Sequence, residues 1–476
     1  MNLSQVFRLS NSPVVAFVGA GGKTTAMFQL ARELAPALVA TTTHLGAWQV
    51  SLADRHFIWY AGAPMPEMES QLGAGVTLVT GPLEADRYRG LSPAQAETLR
   101  QLAGYHDLPL LIEADGARQK PLKAPAAHEP PIPGFVDTVV VVAGLSGLNR
   151  PLTDETIHRA EIFGKLADRQ MGKLVTAEML AAVLAHPDGG LKNIPAGARR
   201  IVLLNQADTP ELQAQAGGIS NSLLLSFDAV VIANLMPASS IVHRPSSTIY
   251  AVHEPIAGVI LAAGESSRFG KPKQLLDYHG QPFVRKVAQT ALEAGLAAVI
   301  VVTGAHAELV EVALEGLSIV VIRNQEWSTG QSSSIKAGVS ALTLPLPFPP
   351  LPSPVGRGKG RVAEGRVGIG EGVGAAIFLL ADQPQVTAHV IRALVERHAT
   401  ERAAIVAPLA ADRRANPVLF DCNTFDDLLA ITGDVGGRAI FSKYKVDYIT
   451  WHDESLLFDV DTEDDYHKLL AWGVKD

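Results

Sequence analysis

The chain is 476 residues long, 47% hydrophobic, and carries a formal net charge of −8 with a pI near 6.0. At ~100 to 200 residues per domain that length calls for two or three cores, and the acidic balance excludes a chain built as a whole to follow a nucleic-acid backbone. The single cysteine, Cys422, excludes an internal disulfide and a cysteine zinc cluster, and the opening "MNLSQVFRLSNSPVVAFVGAGG" has too short an apolar run for a signal or a membrane span; the expectation is a cytoplasmic protein with no membrane and no nucleic-acid partner.

The first apolar run, "PVVAFV", passes into "GAGGKTTAMFQLARELA", the order of strand, glycine loop and helix that suits a phosphate. Gly19, Gly21 and Gly22 permit close backbone approach, and Lys23 and Thr24 stand where the ligands of a β-phosphate and its Mg2+ belong. Phe17 occupies the place of the first glycine of G-x-x-x-x-G-K-[ST], so the loop is short for wrapping a triphosphate. The alternative is a glycine-rich turn whose lysine is solvated. After the amphipathic stretch "SPAQAETLRQLAGYH", the run "PLLIEADGARQKPLKAP" ends a strand with Glu113 and Asp115, a position suited to a Mg2+-bound water. The strands "VDTVVVVAG" and "RRIVLLNQAD" follow; "LLNQAD" approaches the base-reading N-K-x-D pattern with Gln206 in place of lysine, which makes Asn205 and Asp208 candidates for a purine edge, although so short a pattern also arises by chance. His44, His128 and His158 are too widely spaced to be read as a metal site and are taken as surface or satisfied core residues.

Taken together, "GAGGKTT", "ATTTH", "EADGARQKPLKAPAAHEP" and "DETIHRAE" resemble the accessory proteins associated with selenium-dependent molybdenum hydroxylases, over about residues 10–235. That resemblance implies a maturation role and an apo molybdenum hydroxylase as a partner. The expected domain is 1–248, an α/β, doubly wound, P-loop-like unit.

A seam is expected within residues 240–256, where "IVHRPSSTIYAVHEPIAGV" precedes a fresh strand, so the second domain is taken as 249–476. Its opening, "AGVILAAGESSRFGKPKQLL", runs a strand into Leu261, Ala262, Ala263 and Gly264 and then offers Arg268 and Lys273, backbone donors and cations for a phosphate chain. "AAVIVVTG" adds a strand, and "NQEWSTGQSSSIKAG" is a turn entering a helix in which Ser334 contacts a nucleotide, the alternative being that Trp327 packs in the core and the serines merely cap the helix. Residues 344–374, proline-rich and then glycine-rich, are read as a disordered insertion. "AAIFLLADQP" ends in Asp382 at the carboxyl edge of a sheet, a place for a Mg2+ ligand, the alternative being a cap of the next helix. "GDVGGRAI" suits an anion nest, with Arg438 as a candidate partner of an acceptor phosphate.

With "RRANPVLF" and "FDVDTEDD", this ordered set resembles the molybdenum cofactor nucleotidyltransferases, in their cytidylyltransferase branch, over about residues 256–474. The resemblance implies a Rossmann-like fold and a Mg2+-dependent transfer of CMP from CTP to Mo-molybdopterin. It implies that Ala262 to Gly264 face the base, that Ser334 helps place the nucleotide, and that Asn416 shapes the pterin side, although Ala415 precedes it where glycine is usual. Asp461 matches a late acidic motif and is a second metal candidate, unless it serves as an N-terminal charge for the following helix. Two rivals stay open: a non-catalytic carrier of the dinucleotide cofactor, and a cytidylyltransferase acting on a small alcohol phosphate.

Overall fold

A computed structural model describes residues 1–236, 247–265, 269, 271–342 and 373–472. The chain divides into two compact units, Met1–His253 and Glu254–Asp476. Arg268 and nearly all of the expected insertion at 344–374 lie outside the described residues.

The main sheet of the first unit takes its strands, in chain order, as β1 (Val14–Gly19), β2 (Ala37–Thr41), β3 (Arg55–Ile58), β4 (Val76–Thr80), β5 (Leu110–Glu113), β6 (Thr138–Gly144), β7 (Arg199–Asn205), β8 (Ala229–Asn234) and β9 (Thr248–His253). They lie in the order β9-β8-β7-β6-β1-β5-β2-β4-β3, parallel except where β9 joins β8 antiparallel. Both faces are covered, which is why the central strands are continuous apolar runs. Val15 and Phe17 of β1 pack with Met27 and Leu30 of the helix Lys23–Glu33. Ala16 and Val18 point the other way, into a layer holding Leu99 and Leu102 of the helix Pro93–Tyr105. That helix starts at Ser92, which accepts from the Gln95 backbone N–H while Gln95 caps it in return. Thr248–His253 pairs with β8, and the first compact unit ends at His253.

The second unit holds β10 (Ile256–Ala262), β11 (Ala298–Thr303), β12 (Val320–Arg323), β13 (Ala375–Leu380), β14 (Ile405–Ala410), β15 (Arg413–Arg414), β16 (Val418–Asp421) and β17 (Val446–Trp451). The order is β12-β11-β10-β13-β16-β14-β15, with β17 also pairing β14. Strands β10 to β13 are mutually parallel, and β16 is antiparallel to both β13 and β14. Helices Phe283–Glu293 and Ala388–Glu401 cover one face and Gln331–Leu342 the other. The result is a mixed α/β, Rossmann-like sheet whose carboxyl edges at Ala262 and Leu380 open side by side, since Leu261 pairs with Leu380. No helix among the described residues is long and apolar enough to cross a membrane.

Candidate functional site

In the second unit the ends of β10 and β13 form the floor of an open cleft of about 510 Å3. Leu261, Ala262, Ala263 and Gly264 line it from one strand and Leu380, Ala381 and Asp382 from the other, while Lys273, Trp327 to Gln331, Ser334 and Asp434 form its walls. A Cβ placed on Gly264 would meet nothing within 4 Å among the described residues. The loop is tied down by Gln274, whose Nε2 donates to the Gly264 carbonyl at 3.1 Å. Asn324 orders the facing wall: its Nδ2 donates to Ser333 Oγ at 2.8 Å and Ser334 Oγ at 3.1 Å, and its Oδ1 accepts from the Glu326 N–H. Trp327 is half-buried and lines the cleft rather than filling the core.

Lys273 donates to Asp461 at 2.7 Å, although the Asp461 carboxylate is two-thirds exposed. Burial pushes the Asp382 carboxyl above its ordinary value, Asp459 and Asp461 push the same way, and Lys273 opposes them. Asp459 itself accepts from Gln383 Nε2 at 2.8 Å. Thr387, not Asp382, stands at the N-cap of Ala388–Glu401, while Asp461 lies just ahead of Glu463–Trp472, at whose start Thr462 Oγ1 accepts from the Asp465 N–H. Asp382, Asp461 and Lys273 are thus drawn into one electrostatic group, with Asp459 as a member that sequence reasoning missed inside the quoted "FDVDTEDD".

A second chamber adjoins the first through the shared residues Leu261, Gln331 and Leu380. Its walls are Phe378, Phe420 and Phe441, and its rim carries Asn416, Arg438 and Arg414, the last with its guanidinium 4.4 Å from the Phe441 ring centre. Asn416 and Arg438 therefore meet on one chamber, next to the cleft of Lys273 and Asp382.

In the first unit, β1 delivers Gly19 to the middle of the sheet's carboxyl edge. Gly21 and Gly22 have φ of +81° and +120°, and a Cβ on Gly21 would stand 2.3 Å from the Gly144 backbone nitrogen, so glycine is required there. Asn205 holds this loop: its Nδ2 donates to the Gly21 carbonyl at 2.8 Å and its Oδ1 accepts from the Leu235 N–H at 2.9 Å. Each end of that buried amide makes one hydrogen bond to backbone, which ties the glycine loop to the end of β7. Asp208 is exposed and does not line the cleft above the loop; Gln206 does.

Lys23, only 5% exposed, donates to the Gly19 carbonyl at 2.8 Å and sits 3.1 Å from Asp115 and 4.0 Å from Glu113. Burial works against its charge, yet Asp115 and Glu113 outweigh it and raise the lysine pKa. Thr24 donates to Glu113 at 2.7 Å, and Asp115 accepts from the Gly19 N–H at 3.0 Å. The network extends further than the sequence suggested. Lys123 donates to Asp115 at 2.8 Å and to Glu129 at 3.0 Å, and Arg159 grips Glu129 through both guanidinium ends at 2.8 and 2.7 Å. Lys123, Glu129 and Arg159 all lie in the stretches singled out in the sequence, but nothing in their spacing shows that they meet.

This network gives acid sensitivity a definite order. Burial alone would raise the Glu129 carboxyl, but Arg159 and Lys123 overrule it and hold it at about 2; His158 is lowered to about 4 by burial and then by Arg159, Lys123 and Arg118. Both folded values lie below the unfolded ones, so each contribution is present at neutral pH and lost as pH falls. The His158 part is lost between its ordinary 6.5 and about 4, and the Glu129 part between 4.5 and about 2. Thermal melts from pH 7 downward are expected to show His158→Gln flattening the upper window and Glu129→Gln the lower. An unchanged pH profile in both variants would contradict this.

Comparison with known proteins agrees with the two units. The family model described as YqeC protein matches residues 15–161, and that of the MobA-like NTP transferase domain matches residues 258–448. Over 200 residues the chain is 31% identical to the protein YqeC of Escherichia coli (strain K12), covering 40% of this chain and 75% of that protein. Over 227 residues it is 31% identical to nicotine blue oxidoreductase of Paenarthrobacter nicotinovorans, covering 45% of this chain and 96% of that one. Among solved structures, Rv0371c from Mycobacterium tuberculosis H37Rv is 27% identical with a TM-score of 0.35, covering 45% of this chain and 98% of that chain. The chain thus belongs to two families at once, a YqeC domain followed by a MobA-like nucleotidyltransferase domain.

Proposed function

We propose that the second unit transfers CMP from CTP to the terminal phosphate of Mo-molybdopterin, giving the cytosine dinucleotide cofactor and pyrophosphate. The observation that carries this is the pair of adjoining chambers, one edged by Gly264, Lys273 and Asp382 and the other by three phenylalanines with Asn416 and Arg438. Two ligands bound in them would meet at Leu261 and Leu380. In this reading Ala262 to Gly264 offer backbone and shape to the cytosine nucleotide, Ser334 adds a polar contact, and Lys273 neutralises charge developing on the phosphates. Arg438 and Asn416 hold the acceptor. Mg2+, for which one or two protein carboxylates suffice, would be held by Asp382 with Asp461 and would supply positive charge against the phosphates. No general base is needed, because the attacking phosphate is already ionised.

The first unit, in the same proposal, is a P-loop-like domain that binds a nucleotide through Gly19 to Thr24 and serves the maturation of a molybdenum hydroxylase in the cytoplasm. Linking the two units keeps their activities at a high mutual concentration.

The test is pyrophosphate release by the full chain with Mg2+ and Mo-molybdopterin, offered CTP or GTP in separate reactions. Release with CTP alone is expected. Release with GTP alone would overturn the base assignment, and none with either nucleotide would leave the carrier reading in front. Because one relative is an oxidoreductase by name, the same preparation should be assayed for oxidation of a nicotinamide cofactor. Turnover there without pyrophosphate release would replace the transferase proposal.

A further inference from the structure

The cleft above the glycine loop of the first unit is lined by Gly21, Gly22, Lys23, Thr24 and Glu113 on its floor, and by Arg87, Arg118, Lys120 and Trp48 on its rim. In a chain of net charge −8, three cationic side chains, Arg87, Arg118 and Lys120, gather on this rim, above a Lys23 held by Asp115 and Glu113. Arg87 and Arg118 are exposed, and among the described residues neither is held in an ion pair. Such a rim selects a polyanion. Its other unusual member is Trp48, whose large indole is 64% exposed although an apolar core lies close by.

Trp48 is not on a loose loop. Strand Leu45–Gly46 pairs antiparallel with Arg87–Tyr88, so that Gly46 lies opposite Arg87, and the Ala47 N–H donates to the Asp86 carbonyl at 3.0 Å. The 3-10 turn Ala47–Leu52 that follows is fastened to the phosphate loop itself. Gln49 Nε2 donates to Thr24 Oγ1 at 2.9 Å, and Gln49 Oε1 accepts from the Gly46 N–H at 2.8 Å. A Cβ on Gly46 would lie 3.0 Å from the indole Nε1, so the ring folds back over bare backbone. One tie therefore fixes the distance between an exposed aromatic face and the residue after the loop lysine. Phosphates on the loop would leave a base attached to them within the same cationic, aromatic-rimmed cleft.

We infer that Trp48 is the base-stacking residue of this cleft, and that its ligand is a nucleoside polyphosphate rather than a free phosphate or polyphosphate anion. The inference rests on the proposal that the first unit binds a nucleotide, and adds which group recognises the base. Recognition by stacking reads the aromatic face of a base and tolerates its identity. That accords with Asp208 standing away from the cleft and with the Asn205 amide being engaged by backbone.

The experiment is calorimetric titration of the full chain with ATP and, separately, with inorganic tripolyphosphate, in the wild type and in Trp48→Ala, Trp48→Phe and Arg118→Ala. Loss of the stack is expected to weaken ATP binding about 5- to 150-fold in Trp48→Ala, to leave tripolyphosphate unchanged, and to be largely rescued in Trp48→Phe. Arg118→Ala should weaken both ligands alike, which assigns the measured event to this cleft. If Trp48→Ala leaves ATP affinity intact, or weakens ATP and tripolyphosphate equally, the stacking role is wrong while nucleotide binding by the first unit stands. If Arg118→Ala alters neither ligand, or if the wild type binds neither, the nucleotide reading of this unit falls and the inference falls with it.

Discussion

Alanine at Lys273 or at Asp382 is expected to lower CTP turnover by about 10²- to 10³-fold each, the size seen when one group stabilising a charged transition state is removed. Neither change should unfold the chain. Lys273 is paired with an Asp461 that is 66% exposed, so its loss leaves that carboxylate in water rather than stranded in the core. The two residues also report on each other. Asp382 is pushed up first by burial, and Lys273 is the cation that opposes the push. If the ionised carboxylate is what works, activity falls as pH drops through its raised value, and removing Lys273 moves that acid limb to higher pH. Residual turnover in Lys273→Ala should therefore shift its pH profile upward, which loss of a merely structural lysine would not do. Near-normal turnover in either variant would sink the assignment of the site.

How much of this was legible depended on whether a residue's role is local. β6, every residue of it buried, announces itself as a continuous apolar run, and so do β1, β5, β7, β10 and β13. The glycine loop at Gly19 to Gly22 and the strand-end Asp382 are legible for the same reason, since a turn and a strand terminus are properties of a few adjacent residues. Edge strands carry no such signature. Thr248–His253 is partly exposed along most of its length, and nothing in "TIYAVH" sets it apart from the seam in which it lies. Roles fixed by tertiary contact were hidden altogether. "LLNQAD" has the composition of a base-reading segment, yet the sheet turns the Asn205 amide inward to hold Gly21. In the same way Lys123 and Arg159 meet only because the strand Leu122–Lys123 pairs with Ile157–His158, bringing two distant stretches together around Glu129.

That pairing makes Lys123 the residue of the first unit whose loss should be felt most. Its side chain is 3% exposed and its ammonium binds Asp115, Glu129 and the Gly116 carbonyl, at 2.8, 3.0 and 2.7 Å. Lys123→Met keeps most of the volume and removes the charge, leaving Asp115 to Lys23 alone and Glu129 to Arg159 alone, each short of the cation it was desolvated to meet. Breaking a buried pair from one side costs about 3 to 5 kcal/mol, which for a domain of this size is a fall of roughly 6 to 20 °C in Tm. Calorimetry should show one of two unfolding transitions moving, since the second unit does not contain the network. The loss should be smaller in Lys123→Met with Glu129→Gln, because the second change removes one of the two carboxylates left short of a cation while Arg159, itself partly exposed, keeps access to water. A Lys123→Met protein less than about 1 kcal/mol below the wild type would show that the network is no more than a surface-like ion pair. The larger loss would mean that the glycine loop is held in place from beneath: Asp115, which Lys123 fixes, is also the acceptor for the Gly19 N–H and the neighbour of Lys23.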